Sequence, residues 1–416
     1  MTRRGEEDHA DVIVVGGGPA GAATSGALAR AGVDVLVLDR ARFPRVKACS
    51  EYLSPEASRV LASMGALEMV ERSGAARLAG MRVRAPNGTW LRGQYAAAHG
   101  FRGYRDWGLA LPRERLDAIL LDCARRAGAR VHERARVADL ARDATGRVVG
   151  VRVLTRAGSA TYRAPVVVGA DGLRSVVARR LGLARRNRWP RRVALVAHYR
   201  GIDDVGDCGE MHVERDGYAG LADVGGGLTN VAVVVPARRG REIAAVGAAA
   251  FAERWLGARA HLATRFERAE RVSPVLATGP FASHARRAWS PGAALVGDAA
   301  DFFDPFTGEG IYAALRGGEM LAAHLLAAGD PGRSASVDAA LRAYDRARRE
   351  EFRGKWIVER LIGGAVASCF VMNRAARALA ARRDLADLLV GVTGDFVPAR
   401  EVLRPAFVLR LLSAAV

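Results

Sequence analysis

The chain divides by the period of its apolar positions. Val12 to Val15 is a short, wholly apolar run that stops at a cluster of glycines; an Ala-rich segment opens at Pro19, and a second apolar run follows from Val33 to Leu38. Short runs bounded by glycine predict buried strands, with the Ala-rich piece as the helix between them. Ser54-Pro55-Glu56 pairs a capping hydroxyl with a first-turn proline and predicts another helix start. Met81 to Arg84 and Thr89 to Arg92 bracket Pro86-Asn87-Gly88, a hairpin pattern. From Arg113 to about Gly128, Leu116, Ile119, Leu120 and Cys123 recur at helical spacing. Val131 to Leu140, Val148 to Leu154 and Thr161 to Val168 predict further strands. An all-β block follows in Val193 to Tyr199, Glu210 to Val213, Gly217 to Asp223 and Thr229 to Val235, with a helix around Ile243 to Trp255. Ala293 to Val296 predicts a last strand and a long helix starts near Gly308. From Asp338 only helices are expected, broken at Gly363-Gly364, Gly391 to Gly394, Pro398 and Pro405. Strand–turn–helix pieces alternating with a β block predict an α/β fold of two interleaved domains with a helical tail.

Composition changes this picture little. The chain has 416 residues and a formal charge of +19, almost all of it arginine, since Lys47 and Lys355 are the only lysines. The arginines are scattered, which argues against nucleic acid as a partner and leaves anionic lipid or a phosphorylated substrate. Cys49, Cys123, Cys208 and Cys369 are too far apart for a zinc or iron–sulfur motif, so no metal is expected and a reducing cytoplasm suits them. The first ten residues resemble no signal peptide. The uncharged apolar run of the C-terminal part, Leu361 to Met372, is twelve residues, too short to span a bilayer. Flanked by Arg360 and Arg374, it suits peripheral membrane contact.

The chemistry begins at Gly16-x-Gly18-x-x-Gly21 between the first two strands. Gly16 permits the turn, Gly18 lets backbone approach a pyrophosphate and Gly21 allows close helix–strand packing. The helix N-terminus offers free N–H groups to phosphate. Asp39, at the tip of the second strand, can accept hydrogen bonds from ribose hydroxyls. Ala20 in the turn and Arg40 beside the acid complete this end. Two further acidic turns, Gly169-Ala170-Asp171-Gly172 and Gly297-Asp298, each follow a strand and can hold ribityl or phosphate oxygens. Pro305, Gly308, Glu309 and Gly310 mark the mouth of the next helix, and Arg113 opens another. One glycine loop at the N-terminal end plus two later acidic turns favour FAD over NAD as the resident dinucleotide.

In that order these motifs resemble the FAD-dependent, p-hydroxybenzoate hydroxylase-like fold, which implies a Rossmann-type FAD-binding domain with an interleaved β-sheet substrate domain. The expected bounds are 1–330, with sheet pieces at about 80–110 and 186–277, and a helical region 331–416. Within that fold Phe43-Pro44-Arg45-Val46-Lys47-Ala48-Cys49-Ser50-Glu51-Tyr52-Leu53-Ser54-Pro55 and Pro305-Phe306-Thr307-Gly308-Glu309-Gly310 are similar to the geranylgeranyl reductase family. Two departures stand out: Ser50-Glu51 replaces a glycine pair after the cysteine, and only Tyr218 remains of an aromatic run lining the substrate cavity. The lysine and Trp-x-Trp motif that halogenases of this fold require are missing.

The resemblance implies reduction of C=C bonds in a hydrophobic, prenyl-like or polyketide-like substrate by hydride from reduced flavin. Cys49, Lys47, Glu51 and Tyr218 are the expected catalytic side chains. NAD(P)H, if the reductant, binds transiently, because no second glycine loop is present. A monooxygenase acting on an aromatic or polyketide substrate and an electron-transfer flavoprotein feeding a quinone are the alternatives. A thiol near the flavin disfavours the oxygenase, whose peroxide chemistry would oxidise it. His198, His212 and His284 show no ligand spacing and read as structural. Oligomeric state is not readable from the chain.

Overall fold

A computed structural model describes residues 9–97, 100–155, 158–186 and 191–413. Its central sheet is built on β1 (Val12–Val15) and β2 (Val35–Leu38), which pair in parallel with all eight side chains buried. The sheet continues through Val166–Gly169 and Ala293–Leu295 on one side and Arg130–His132 on the other, with Trp289–Ser290 as an antiparallel edge. Unbroken apolar strands are what a parallel sheet covered on both faces demands.

Helix α1 (Pro19–Arg30) lies between α3 (Arg113–Arg126) and α4 (Gly310–Ala328), with α2 (Pro55–Ser63) beside them. Its alanines and glycines set how closely these helices approach. A Cβ on Gly318 would come within 2.7 Å of the Ala20 carbonyl oxygen. Helix α2 starts as its sequence predicts, with Ser54 Oγ accepting from Ala57 N.

Two expected strands are each divided. Arg130–His132 joins the central sheet, whereas Arg136–Arg142 pairs with Val148–Thr155 in a separate three-stranded sheet. Gly158–Arg163 completes that small sheet, and Pro165, which has no N–H to give a ladder, separates it from Val166–Gly169.

The second large sheet is interleaved as expected. Arg192–Arg200, Thr229–Pro236, Gly217–Asp223 and Cys208–Glu214 follow one another antiparallel, and Cys208–Glu214 then pairs in parallel with Gly80–Arg84 of the hairpin. The early contribution is narrower than 80–110: it ends at Gln94, and Gly108–Ala110 belongs to a small sheet with Tyr52–Leu53 and Ala76–Leu78. Residues 187–190 of the later piece lie outside the described residues. Alternation gives this sheet two apolar faces. Leu195, Tyr199 and Val231 pack under Phe251 and Trp255, whose helix Ala248–Gly257 is cut from its predecessor at Gly247 with φ +86°. Ala194, Val196, Met211 and Val234 face the other way, toward the C-terminal helices.

Those helices are α5 (Ser334–Val366), α6 (Cys369–Ala381), α7 (Arg383–Thr393) and α8 (Pro405–Ser413). The break expected at Gly363-Gly364 falls at Ala367-Ser368 instead. Gly363 stays helical because it is buried against Phe303, where a Cβ would stand 3.3 Å from the ring. The Ser368 hydroxyl then caps α6. No single helix among the described residues is long and apolar enough to cross a membrane.

Candidate functional site

The three glycines of the first turn do different work. Gly16 has φ +105°, and a Cβ there would meet the Ala170 carbonyl oxygen at 2.5 Å. A Cβ on Gly21 would lie 1.8 Å from the Gly16 carbonyl oxygen. Gly18 answers to no such neighbour: its closest contacts would be Arg45 Nη2 at 3.5 Å and Arg113 Nη2 at 3.9 Å. The protein itself requires Gly16 and Gly21. Gly18 keeps open a cradle at the start of α1, faced by two guanidinium groups.

A buried acid holds those guanidinium groups in place. Asp117, one turn into α3, accepts from Arg113 Nε at 2.7 Å and Nη2 at 2.8 Å, and pairs with Arg45 at 2.9 Å. Burial disfavours the Arg113 cation, but Asp117 and the Cys49 thiol beside it outweigh that and raise its pKa. At the far rim Asp39 accepts from Gly17 N and Ala41 N, both at 2.7 Å, which locks the β2 tip against the glycine loop. Asp171 accepts from Val176 N at 2.6 Å through one oxygen, while its other oxygen is buried without a partner. Burial pushes this carboxyl above its ordinary value.

These groups border one cleft of about 940 Å³, near the upper end of the ~300–1,000 Å³ usual for small-molecule sites. Gly16, Gly18, Ala20, Asp39, Arg40, Arg113, Asp171, Gly172, Asp298, Pro305, Gly308 and Gly310 all line it. Gly21 lies behind the loop, and Gly297, at φ +57°, turns the chain where a Cβ would press on Ala20. The same cleft, which Cys49 and Ser50 also line, includes an apolar chamber walled by Ala194, Val196, Met211, Tyr218, Val234 and Phe281.

Of the expected catalytic side chains, Cys49, Lys47 and Tyr218 line the cleft, and the Cys49 sulfur accepts from Glu51 N at 3.3 Å. Cys49 lines it with its thiol against Arg113. Lys47 also lines it, with Nζ beside Gly172. Although open to the cleft, its ammonium is crowded by protein; that burial and the Arg113 charge lower its pKa, against the pull of Asp298. Lys47 therefore sits at the glycine-loop end and not in the chamber. Tyr218 forms a chamber wall, but its hydroxyl donates to Asp304 Oδ1 at 2.7 Å, and Arg192 holds the other oxygen of Asp304 at 2.6 Å.

Two expectations are corrected. Glu51 does not face the cleft. Its Oε1 accepts from Arg113 N at 2.8 Å, the first N–H of α3, and its Oε2 takes Asn230 Nδ2 at 2.9 Å and His198 Nε2 at 2.6 Å. The backbone at Glu51 has φ +63°, so it occupies a conformation that glycine adopts freely and these bonds must enforce. Glu309 also turns away, into a smaller pocket behind the 304–310 loop. There burial pushes its carboxyl up to about 7, against the pull of Lys355, which itself pairs with Asp395.

The open cradle at Gly18, the paired guanidinium groups and the unpartnered Asp171 oxygen fit a dinucleotide whose pyrophosphate meets the glycine loop. The FAD binding domain family matches residues 9–354. Menaquinone reductase of Mycobacterium tuberculosis is 30% identical over 365 residues, covering 82% of this chain and 83% of the relative. Digeranylgeranylglycerophospholipid reductase 2 of Methanopyrus kandleri is 31% identical over 401 residues, covering 93% of each chain. The chain belongs to the geranylgeranyl reductase family of FAD-dependent oxidoreductases.

Among solved structures, the myxobacterial chondrochloren halogenase CndH, an FAD-dependent halogenase, superposes with a TM-score of 0.77 at 25% identity, covering 85% of this chain and 82% of its own. This reductase-family member shares that fold, and neither of its two lysines stands in the chamber. Lys47 is at the glycine-loop end, and Lys355 is on α5, over the Tyr312 ring and against Asp395.

Sequence reasoning missed five residues that organise the site of this oxidoreductase: Arg45, Asp117, Arg192, Asn230 and Asp304. Asp117 carried one legible signal, an acid four residues after Arg113 on a helix. The others act across the fold, and His198, read as structural, anchors Glu51.

Proposed function

We propose that this oxidoreductase reduces C=C bonds of a hydrophobic, prenyl-like substrate. The observation that carries the reading is that one cleft joins the polar cradle at Gly18 and an apolar chamber, with Cys49 among its lining residues. Bound, reduced FAD supplies two electrons as hydride. Gly18, Arg45, Arg113, Asp39 and Asp171 would hold the dinucleotide, with Lys47 lining the same end of the cleft. The chamber excludes water and orients an apolar chain, with Tyr218 fixed in its wall by Asp304. Saturating C=C takes a hydride and one proton, and the Cys49 thiol, which lines the cleft against Arg113, would be placed to deliver the proton. Glu51 takes no proton step; it fixes the Cys49 loop through Asn230, which also donates to the Cys49 carbonyl oxygen at 2.9 Å. The names of the two relatives, reductases of a quinone and of a geranylgeranyl lipid, support this class of chemistry. A nicotinamide nucleotide visiting transiently is the proposed reductant.

The experiment uses FAD-loaded protein reduced chemically without oxygen and offered menaquinone or a geranylgeranyl lipid. The reading expects flavin reoxidation matched by a product two hydrogens heavier. Flavin that stays reduced with both probes counts against it.

A further inference from the structure

At the end of α5 the chain exposes large apolar side chains to solvent. Leu361 is 61% and Phe370 76% exposed, with Ile357 and Val371 also exposed beside them. Core side chains of this size are normally covered, and here four of them gather on one elbow, where the axes of α5 and α6 turn by 112° across Ala367-Ser368. Helical spacing puts Phe370, Arg374 and Arg377 on one face of α6, while Ile357, Arg360 and Leu361 share the solvent side of α5. Arg374 and Arg377 make no ion pair among the described residues, whereas Arg360 lies over the Phe303 ring at the small pocket behind the 304–310 loop. Between Ile357 and Ala381 the sole acid is Glu359, which lines the small pocket behind the 304–310 loop.

The elbow is also the outer end of a core that reaches the chamber. Val358, Val366, Met372 and Leu379 belong to the same apolar cluster as Val196, Met211, Tyr218 and Phe281. An apolar tip ringed by unpaired arginines has the composition of a surface that enters the headgroup region of an anionic bilayer. A second copy of this chain would bring the same arginines together and is disfavoured by charge.

We propose that the α5–α6 elbow docks on an anionic membrane, inserting Leu361 and Phe370 while Arg374 and Arg377 contact lipid phosphates. Its link to the cleft rests on the hydrophobic-substrate reading: the substrate then enters from the bilayer. The docking itself does not depend on which reaction the cleft performs.

The test is co-sedimentation of the FAD-loaded full chain with vesicles of phosphatidylglycerol and phosphatidylcholine in equal parts, at low salt, against phosphatidylcholine alone. The wild type pellets with the anionic vesicles and much less with the neutral ones. Leu361→Asp with Phe370→Asp lowers the partition coefficient by about tenfold or more, and Arg374→Glu with Arg377→Glu abolishes the preference for anionic lipid. Leu361, Phe370 and Arg377 are exposed and Arg374 is half-buried; flavin absorbance and the unfolding midpoint, expected at wild-type values, separate lost docking from lost fold. A wild type that stays in the supernatant, a Leu361/Phe370 variant that pellets like wild type, or a dimer that the same variant dissolves without any vesicle binding overturns the proposal. Because binding is read without turnover, it can fail while the reductase reading stands, and the reverse.

Discussion

Gly18→Ala and Gly21→Ala alter neighbouring turns of one motif by one methyl group, and the geometry assigns them opposite phenotypes. Gly18 has φ −75° and ψ −172°, an extended conformation open to any L-residue, and its new Cβ would meet protein no closer than 3.5 Å. The unloaded fold should therefore keep its stability, or gain ~0.4–1 kcal/mol because the unfolded chain loses freedom. The methyl group fills the cradle, so pyrophosphate can no longer reach the backbone N–H groups. Losing one charge-assisted hydrogen bond costs ~1.5–3 kcal/mol, or about 10- to 150-fold in FAD affinity. Gly21→Ala instead places its Cβ 1.8 Å from the Gly16 carbonyl oxygen. Relief requires the β1–α1 turn to move, an overpacking penalty of ~1–3 kcal/mol or more. Denaturant unfolding of the FAD-free proteins reads the first quantity, and quenching of flavin fluorescence during titration reads the second. A Gly18→Ala protein that binds FAD like wild type, or a Gly21→Ala protein as stable as wild type, would refute the assignment of roles.

His198 has its pKa raised by the hydrogen bond to Glu51, against the opposing effect of burial. The protonated pair therefore contributes fully below the unfolded value near 6.5 and is lost as pH rises through the folded value; the stability gap between wild type and His198→Gln should be widest in acid and shrink toward alkaline pH, and a gap that does not change with pH speaks against the pair. Tyr218→Phe removes one donor from buried Asp304, which keeps Arg192 and Phe306 N, so the expected loss is ~1.5–3 kcal/mol of unfolding free energy with FAD still bound; a variant as stable as wild type would show the bond to be idle. Cys49→Ser should slow product formation more than flavin reduction in rapid-mixing kinetics, whereas equal slowing of both would remove the thiol from the proton step.

The glycine loop, the Asp39 tip and the hairpin near Asn87 were readable because each is local: turn chemistry and strand period act over a few residues. The two divided strands were missed although Pro165 and the turn at Arg134 (φ +58°) mark the divisions; which sheet Arg136–Arg142 and Gly158–Arg163 join is decided by distant partners. Gly363-Gly364 misled for a related reason. A glycine pair signals a helix end unless tertiary packing needs the missing side chains, and here Phe303 occupies that space. Within the site, residues on the glycine-rich turns were legible and those held by charge were not. Glu51 stands two residues after Cys49 and invites a catalytic role, but its carboxylate is claimed by Asn230 and His198 from strands about 150 residues or more away in the chain. Glu309 stands between Gly308 and Gly310, which both line the cleft, yet its own carboxyl lines only the small pocket behind the loop.

The most direct test of the reductase account is the oxygen dependence of turnover, followed with isotopically labelled oxygen and the same menaquinone or geranylgeranyl probe. FAD-loaded protein is reduced chemically, and product is compared with and without oxygen. The account predicts product formation without oxygen, two hydrogens added per C=C bond and no label incorporated. Strict dependence on oxygen, with one labelled atom in the product, would contradict it and assign the cleft to a monooxygenase.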